Sequence, residues 1–466
     1  MGYGKTLYEL APVAMQNMLC GLYGRRTLRT RYGPVFRQAL ASLEDSQWWP
    51  QEKLRTEQDS RLRALIAHAY EQVPYYREVM KARQLKPDDI QCVDDLPSLP
   101  VLNKAIVRDA GDELVSRDVA GRSVVHCHTS GTTGAGLRFV VSSRSFAMQW
   151  AVWWRHRGRF GFHLGDPHVN FSGQSVVPLR QSRPPFWREV RPLRQTYVSL
   201  YHMTPANMPA YVRMLEERRF PYFIGYPSAI ALVADHLRQR GRPLAHPPRW
   251  IITGAESLLP VQVRDMRQWI GADVTDQYGQ AEGCANLSRC EKLNYHVDME
   301  FAAVEPIERQ RSDEGRVCSL VGTSLHNYAQ PFIRYDTGDL ATFSDTPCDC
   351  GRAGPVASYI DGRVEDYVVT PDGRRIGRLD HCFKDMVHIA ESQVIQEQED
   401  RLRVLVVRRA DYTDADERQL MHEFRARLGD AIAIDVEYVE SIPRTSSGKL
   451  RAVVSRLKTS PAPVAS

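Results

Sequence analysis

At 466 residues the chain is too long for one small domain, and its 43% apolar and 25% charged residues place it among ordinary globular proteins rather than disordered or fibrous ones. The formal charge of +5 is dispersed, with Lys and Arg interspersed among Asp and Glu, so no nucleic-acid partner is expected. Nine cysteines, an odd number scattered without a secretion signal, argue against a disulfide framework and for a cytoplasmic address.

The stretch from Leu7 to Tyr23 is moderately apolar and runs into Arg25, Arg26, Arg29 and Arg31. A membrane-surface helix would read this way, but a helix packed on the body with a solvated basic end is the expectation. Glu9, Gln16 and Asn17 interrupt the stretch, so neither a spanning helix nor stable membrane insertion is expected. The region to about Asp118 reads as helical: Leu62, Leu65, Ile66 and Ala69 recur at helical spacing behind the cap candidates Asp59 and Ser60, and Pro74 ends that helix. From Val124 to about Ile360, apolar runs such as VVHCH, YFIGY, RWIITG and VCSLVG alternate with helical segments, which predicts buried strands in an α/β body.

Near Gly362 a second unit begins. YVVTPDGRRI reads as a hairpin turning at Pro371, Asp372 and Gly373; strand-like SQVIQEQ and LRVLVVRR, a helix over Asp414 to Leu428, strand-like IAIDVEYV and a Gly-bearing loop follow. The expected fold class is therefore α/β. A large body would comprise a helical region over residues 1–120 and a core over 121–362, with a small mobile α+β domain over 363–466.

HTSGTTG, His128 to Gly134, concentrates hydroxyls and glycines directly after a predicted strand. Such a loop lets backbone N–H groups and hydroxyls surround a polyphosphate, although alone it could equally be an ordinary turn. It lacks the Gly-Lys-Ser/Thr ending of a P-loop. Further on stand YGQAEG (Tyr278 to Gly283), YDTGDLA (Tyr335 to Ala341), GRVEDYV (Gly362 to Val368) and PRTSSGKLRA (Pro443 to Ala452). In this order and spacing the five segments resemble the adenylate-forming superfamily. LRALIAHAYEQVPYYREVM and LPVLNK, nearer the N-terminus, resemble its phenylacetate-CoA ligase and capsule-biosynthesis branch.

That resemblance implies an AMP-forming ligase whose core over 121–362 binds nucleotide and substrate. Thr129, Ser130, Gly131, Thr132, Thr133 and Gly134 would wrap the β- and γ-phosphates, with Thr129 also acting in catalysis. Tyr278, followed by Gly279, would stack on adenine, Glu282 would hold magnesium, and Asp339 would accept from both ribose hydroxyls. Arg363 would reach the ribose or phosphate, and Lys449 would lie between the substrate carboxylate and the α-phosphate. The pocket would lie near Tyr226, Pro227 and Ser228 and the run Thr253, Gly254, Ala255 and Glu256. Glu365 would be the hinge about which the C-terminal domain turns between adenylation and thioester formation.

Implied partners are ATP, magnesium, a carboxylic acid of aryl or arylacetic type, and coenzyme A or an acyl carrier protein; a homodimer is compatible. Two departures stand out. Ala281 replaces the usual hydroxyl residue before the magnesium-binding acid, and Glu365 replaces an aspartate. Alternatives are an adenylyltransferase or amide synthetase without a thioester step, or a nucleotide-binding homologue weak in catalysis. Finally, CEKLNYH and CDCGR offer Cys290, His296, Cys348 and Cys350 as a structural zinc set, as some capsule-type relatives do; small buried cysteines are the competing reading.

Overall fold

The computed structural model describes residues 7–457 apart from 120–122, 129–136, 257, 259, 313–314, 362–367, 377–378, 384–385, 387, 409–410, 441, 443–452 and 456. The N-terminal region is helical, with α1 (Val13–Thr30), α2 (Pro34–Ser46), α3 (Gln51–Gln72), α4 (Pro74–Ala82) and α5 (Lys104–Ala110). α3 starts at Gln51 behind Pro50, so Asp59 and Ser60 lie inside it rather than capping it. Its first turns are rich in Glu, Lys, Arg and Gln, whose helix propensity extends it without an apolar stripe. Pro74 does end α3, and it opens α4 at a position where a missing N–H costs nothing.

β1 (Val124–His128) pairs antiparallel with β2 (Arg138–Ser142) in a separate two-stranded sheet. The first expected strand thus stands outside the main sheet: its side chains are only half-buried or exposed. The Ser142 hydroxyl then caps α6 (Ser143–Arg159) by accepting from the Ser145 N–H at 3.1 Å.

Twelve of the described strands form the main sheet. In chain order they are β3 (His168–Phe171), β4 (Trp187–Val190), β5 (Gln195–Val198), β6 (Tyr222–Gly225), β7 (Trp250–Gly254), β8 (Asp273–Gly279), β9 (Asn286–Arg289), β10 (Tyr295–Val297), β11 (Ala302–Ser312), β12 (Gly315–Ser324), β13 (Tyr335–Phe343) and β14 (Val356–Asp361). Their spatial order is β11-β12-β13-β14-β10-β9-β8-β7-β6-β3-β5-β4. The strands from β5 through β8 are parallel, with α7 (Met208–Arg218), α8 (Pro227–Gln239) and α9 (Pro260–Asp265) in the connections. Phe223 and Ile251 pack on α7 and α8, while Ile224 and Ile252 pack on α2 and α6. Burial on both faces is why these strands read as unbroken apolar runs.

From β8 to β11 every pairing is antiparallel, and no described helix interrupts it. The expected alternation of strands and helices therefore stops at Gly279, well before Ile360. A third sheet, β17 (Ile389–Gln398), β18 (Arg401–Arg408), β19 (Ala433–Tyr438) and β20 (Val453–Ser455), encloses its own core with α10 (Asp414–Leu428) and the small hairpin of β15 (Val368–Val369) and β16 (Arg375–Ile376). The observed class is the expected α/β one, a large sheet-and-helix body followed by a C-terminal α+β region.

α1 lies against the outer strand β4. A Cβ on Gly24 would stand 2.5 Å from Val190 Cγ1, so glycine is what lets the helix come this close. Arg188 Nε donates to Gln16 Oε1 at 2.6 Å, and Asn17 Oδ1 accepts from the Glu189 N–H at 2.9 Å, satisfying a group that an edge strand would otherwise leave open. Among the described residues no helix is long and apolar enough to cross a membrane.

Candidate active site

β8 is the strand at which the sheet changes character, with β7 parallel on one side and β9 antiparallel on the other. In open α/β sheets ligands bind beyond the carboxyl ends of the parallel strands, where the connections part. Gly225, Gly254 and Gly279 end β6, β7 and β8 at that edge. A Cβ on Gly279 would stand 2.7 Å from Asn286 Oδ1 and 3.3 Å from Trp153 Nε1, so a larger residue would push the next loop away. Ala255, just past Gly254, holds a left-handed φ of +68°, an unfavourable conformation for alanine of the kind that gathers at functional sites.

Buried bonds fix this edge. Asp276 in β8 accepts from Thr253 Oγ1 of β7 at 2.6 Å and from the Tyr295 phenol of β10 at 2.7 Å. Burial pushes the Asp276 carboxyl up, and these two donors partly offset it. The Gln149 amide of α6 donates to the Gln280 carbonyl at 2.7 Å, which holds the YGQAEG turn to the helix.

On that frame the sequence-predicted residues Tyr278, Glu282 and Asp339 come together. The Tyr278 phenol donates to Asp339 Oδ2 at 2.8 Å, across 61 residues of chain. Burial, with the Asp339 carboxylate beside it, raises the phenol well above its ordinary range, so it remains a donor. Asp339 is aimed by an irregularity in β13: the pairing with β12 jumps from Ser319–Leu340 to Val321–Asp336, and Gly338 takes φ +74°. A bulge of this kind redirects a side chain. The Glu282 carboxylate is buried, and the Tyr335 phenol, at the start of the same strand, donates to its Oε1 at 3.1 Å. Gly254 pairs with Gln277, the neighbour of Tyr278, which puts Ala255 and Glu256 on the same edge. Thr129 to Gly134, Arg363, Glu365 and Lys449 lie outside the described residues.

Sequence reasoning missed three contributors. Tyr335 stands inside a recognised motif, but its partner Glu282 is 53 residues away. Asp276 and Tyr295 carry no local signal, since their strands read DVTDQYG and YHV and nothing in either run marks the polar group that pairs across strands.

The cysteine and histidine set is a second cluster, in the antiparallel half. Cys290, His296, Cys348 and Cys350 bring their ligand atoms within 4.8 Å of one another. Cys290 Sγ lies 3.7 Å from Cys348 Sγ, and Cys350 Sγ lies 3.3 Å from His296 Nε2. A tetrahedral ion with bonds of about 2.3 Å to sulfur and about 2.0 Å to nitrogen sets ligand spacings of roughly 3.5–3.8 Å, which this set nearly meets. A disulfide would need about 2.05 Å, and all nine cysteines are unbridged. The Lys292 N–H and the Asn294 amide donate to Cys290 and Cys348 at 3.3 Å each, the support that thiolate ligands receive. Burial takes His296 down to about 4, leaving a neutral imidazole, and takes Cys290 up to about 12. At Cys348 burial acts the same way but is outweighed by the Asn294 amide and neighbouring donors, which hold that thiol below its usual range. These residues fit a closed four-ligand metal centre.

With this geometry in hand, known proteins supply the family. Residues 368–456 match the CapK C-terminal domain. Protein CapK of Staphylococcus aureus is 22% identical over 459 residues, covering 97% of this chain and 99% of the relative. The phenylacetate-coenzyme A ligase of Escherichia coli K12 is 37% identical over 347 residues, covering 68% of this chain and 73% of the relative. Among solved structures, 2-hydroxyisobutyryl-CoA ligase, in complex with 2-HIB-AMP and CoA, superposes with a TM-score of 0.56 at 20% identity, over 88% of this chain and 91% of that one. That likeness establishes the fold, and the curated relatives establish the lineage. The chain belongs to the phenylacetate-coenzyme A ligase family of adenylate-forming, AMP-producing acid–thiol ligases, in the branch that includes CapK.

Proposed function

We propose that the chain activates a carboxylic acid with ATP as its acyl-AMP and passes the acyl group to the thiol of coenzyme A. The observation behind this reading is the Tyr278–Asp339 pair beside the Tyr335–Glu282 pair, at the end of the parallel strands. In the first step a substrate carboxylate oxygen attacks the α-phosphorus, the bond to the β-phosphate breaks, and pyrophosphate leaves. In the second a thiolate attacks the acyl carbon and AMP departs. Charge builds on phosphate oxygens in the first step, so fixed donors and cations aimed at it are the main catalytic device.

Asp339, held by Tyr278, would accept the ribose hydroxyls, and the Tyr278 ring would stack on adenine. The buried, oriented carboxylate of Glu282 suits a hard cation, and it would hold magnesium, which neutralises phosphate charge when bound. Gly254, Ala255, Glu256 and Gly279 would line the nucleotide and acid pocket. By family resemblance, Thr129 to Gly134 would contact the β- and γ-phosphates, Arg363 the ribose or phosphate, and Lys449 the α-phosphate. Glu365 would serve as the hinge of a C-terminal domain beginning near residue 363.

We further assign an aryl or arylacetic acid as substrate, on likeness to phenylacetate-coenzyme A ligases, and zinc to the Cys290, His296, Cys348 and Cys350 centre, where it would have a structural role. Trapping with hydroxylamine over a panel of aromatic and aliphatic acids, with AMP release followed with and without coenzyme A, tests the proposal. Hydroxamate from an aryl acid, and AMP release accelerated by coenzyme A, are expected. Hydroxamate from aliphatic acids alone overturns the substrate class, and AMP release indifferent to coenzyme A overturns the acceptor.

A further inference from the structure

α1 packs on the body with a solvated basic end, as the sequence suggests, and its outer face also carries exposed apolar side chains. Its inner face is used up on β4, with Gln16, Gly24 and Thr27 buried. On the opposite side Met15, Met18, Leu19 and Leu22 recur at helical spacing, and with Leu7 and Leu10 just before the helix they are 38–70% exposed. The same stripe continues one and two turns on as Arg26 and Arg29, both exposed, with exposed Arg25 beside them. The helix contains no Asp or Glu. The turn against which it packs adds exposed Arg191 and Arg194; Glu189 in the adjoining strand pairs with Arg218 at 2.7 Å and with Arg191 at 3.5 Å, and the acid of the preceding segment, Glu9, is half-buried.

We propose that this face docks the protein on an anionic lipid surface. Apolar side chains in consecutive turns of a helix without acids, followed by arginines, match a bilayer boundary: hydrocarbon takes the Met and Leu side chains, and phosphate headgroups take the guanidinium groups, which reach up along their own stems. A second copy of the chain is a poorer partner. Two such helices pairing about a two-fold axis would bring the arginine end of each to a helix that has no carboxylate to receive it. The contact is peripheral, since no described helix can span a membrane.

The test is co-sedimentation of the full-length protein with unilamellar vesicles of phosphatidylcholine alone, or mixed with phosphatidylglycerol, at low and physiological salt. Binding to the anionic vesicles that weakens with salt is expected. Arg26→Ala with Arg29→Ala should lower the partition coefficient by about twenty-five-fold, at about fivefold per arginine near a charged surface. Leu19→Glu with Leu22→Glu should abolish binding. Both variants should keep the pyrophosphate exchange activity of the parent, because neither pair lies at the candidate active site. No binding to anionic vesicles at low salt, or equal binding to neutral ones, overturns the proposal. So does a dimer that the Leu19→Glu and Leu22→Glu pair dissociates in a protein that ignores vesicles.

Discussion

The Tyr278 phenol and the Asp339 carboxylate, 2.8 Å apart, join the last parallel strand to the bulged strand β13, and on the proposed reading this is where Asp339 would receive the ribose. A hydrogen bond to a charged group contributes about 1.5–3 kcal/mol. Asp339→Ala should therefore weaken ATP binding by roughly that amount in titration calorimetry. Tyr278→Phe keeps the ring and loses only the tether, so its loss should be smaller. Unchanged ATP affinity in Asp339→Ala would remove that residue from the site.

The Tyr335 phenol donates to Glu282 Oε1 at 3.1 Å, so on the proposed reading Tyr335 would be a positioning residue for the magnesium-holding carboxylate. Tyr335→Phe should raise the magnesium concentration needed for half-maximal adenylation several-fold, at the order of 1 kcal/mol for one lost hydrogen bond, with the maximal rate largely recovered at saturating magnesium. Glu282→Gln should not recover. A Tyr335→Phe variant with the parent's magnesium titration contradicts the assignment.

Metal analysis after exhaustive dialysis should find close to one zinc per chain, because a closed thiolate and imidazole set binds tightly. Cys348→Ser should lower both zinc content and Tm while Asp339-dependent ATP binding persists. Less than about half an equivalent of zinc, as an order-of-magnitude threshold for one closed site, counts against the centre.

Stability should fall on acidification. Burial takes His168, His202 and His326 down to about 4, whereas an unfolded chain titrates its histidines near 6.5. Between those values the unfolded state binds protons that the folded state does not, so the stabilisation is complete above about 6.5 and is lost progressively toward about 4. The urea midpoint should be clearly lower at pH 5 than at pH 7.5. An equal or higher midpoint at pH 5 would show that these rings are not held neutral.

Legibility in the sequence follows the range of the interactions involved. α10 and its start are written locally, in the capping box of Thr413 and Asp416, and the PDG turn is written in Gly373 at φ +78°. β6 and β7 are legible as apolar runs because helices cover both their faces. By contrast, the pairing of Tyr335 with Glu282, and the Asp276 link between β7 and β10, depend on strand order, which no local run of residues encodes. The metal set is intermediate: each Cys-bearing segment is visible alone, but their meeting requires β10 to lie between β9 and β14. For α1, periodicity displays an apolar stripe without saying which face is buried. Gly24 against Val190 decides that.

Adenylation of a carboxylic acid is the step on which every other proposed role depends, and exchange of labelled pyrophosphate into ATP reads that step alone, whatever the acceptor. Exchange should require both magnesium and a carboxylic acid and should fall sharply in Glu282→Gln. Binding of ATP with no exchange for any acid across a broad aromatic and aliphatic panel would contradict it, and would make the chain a nucleotide-binding homologue in which Ala281 marks the loss of chemistry.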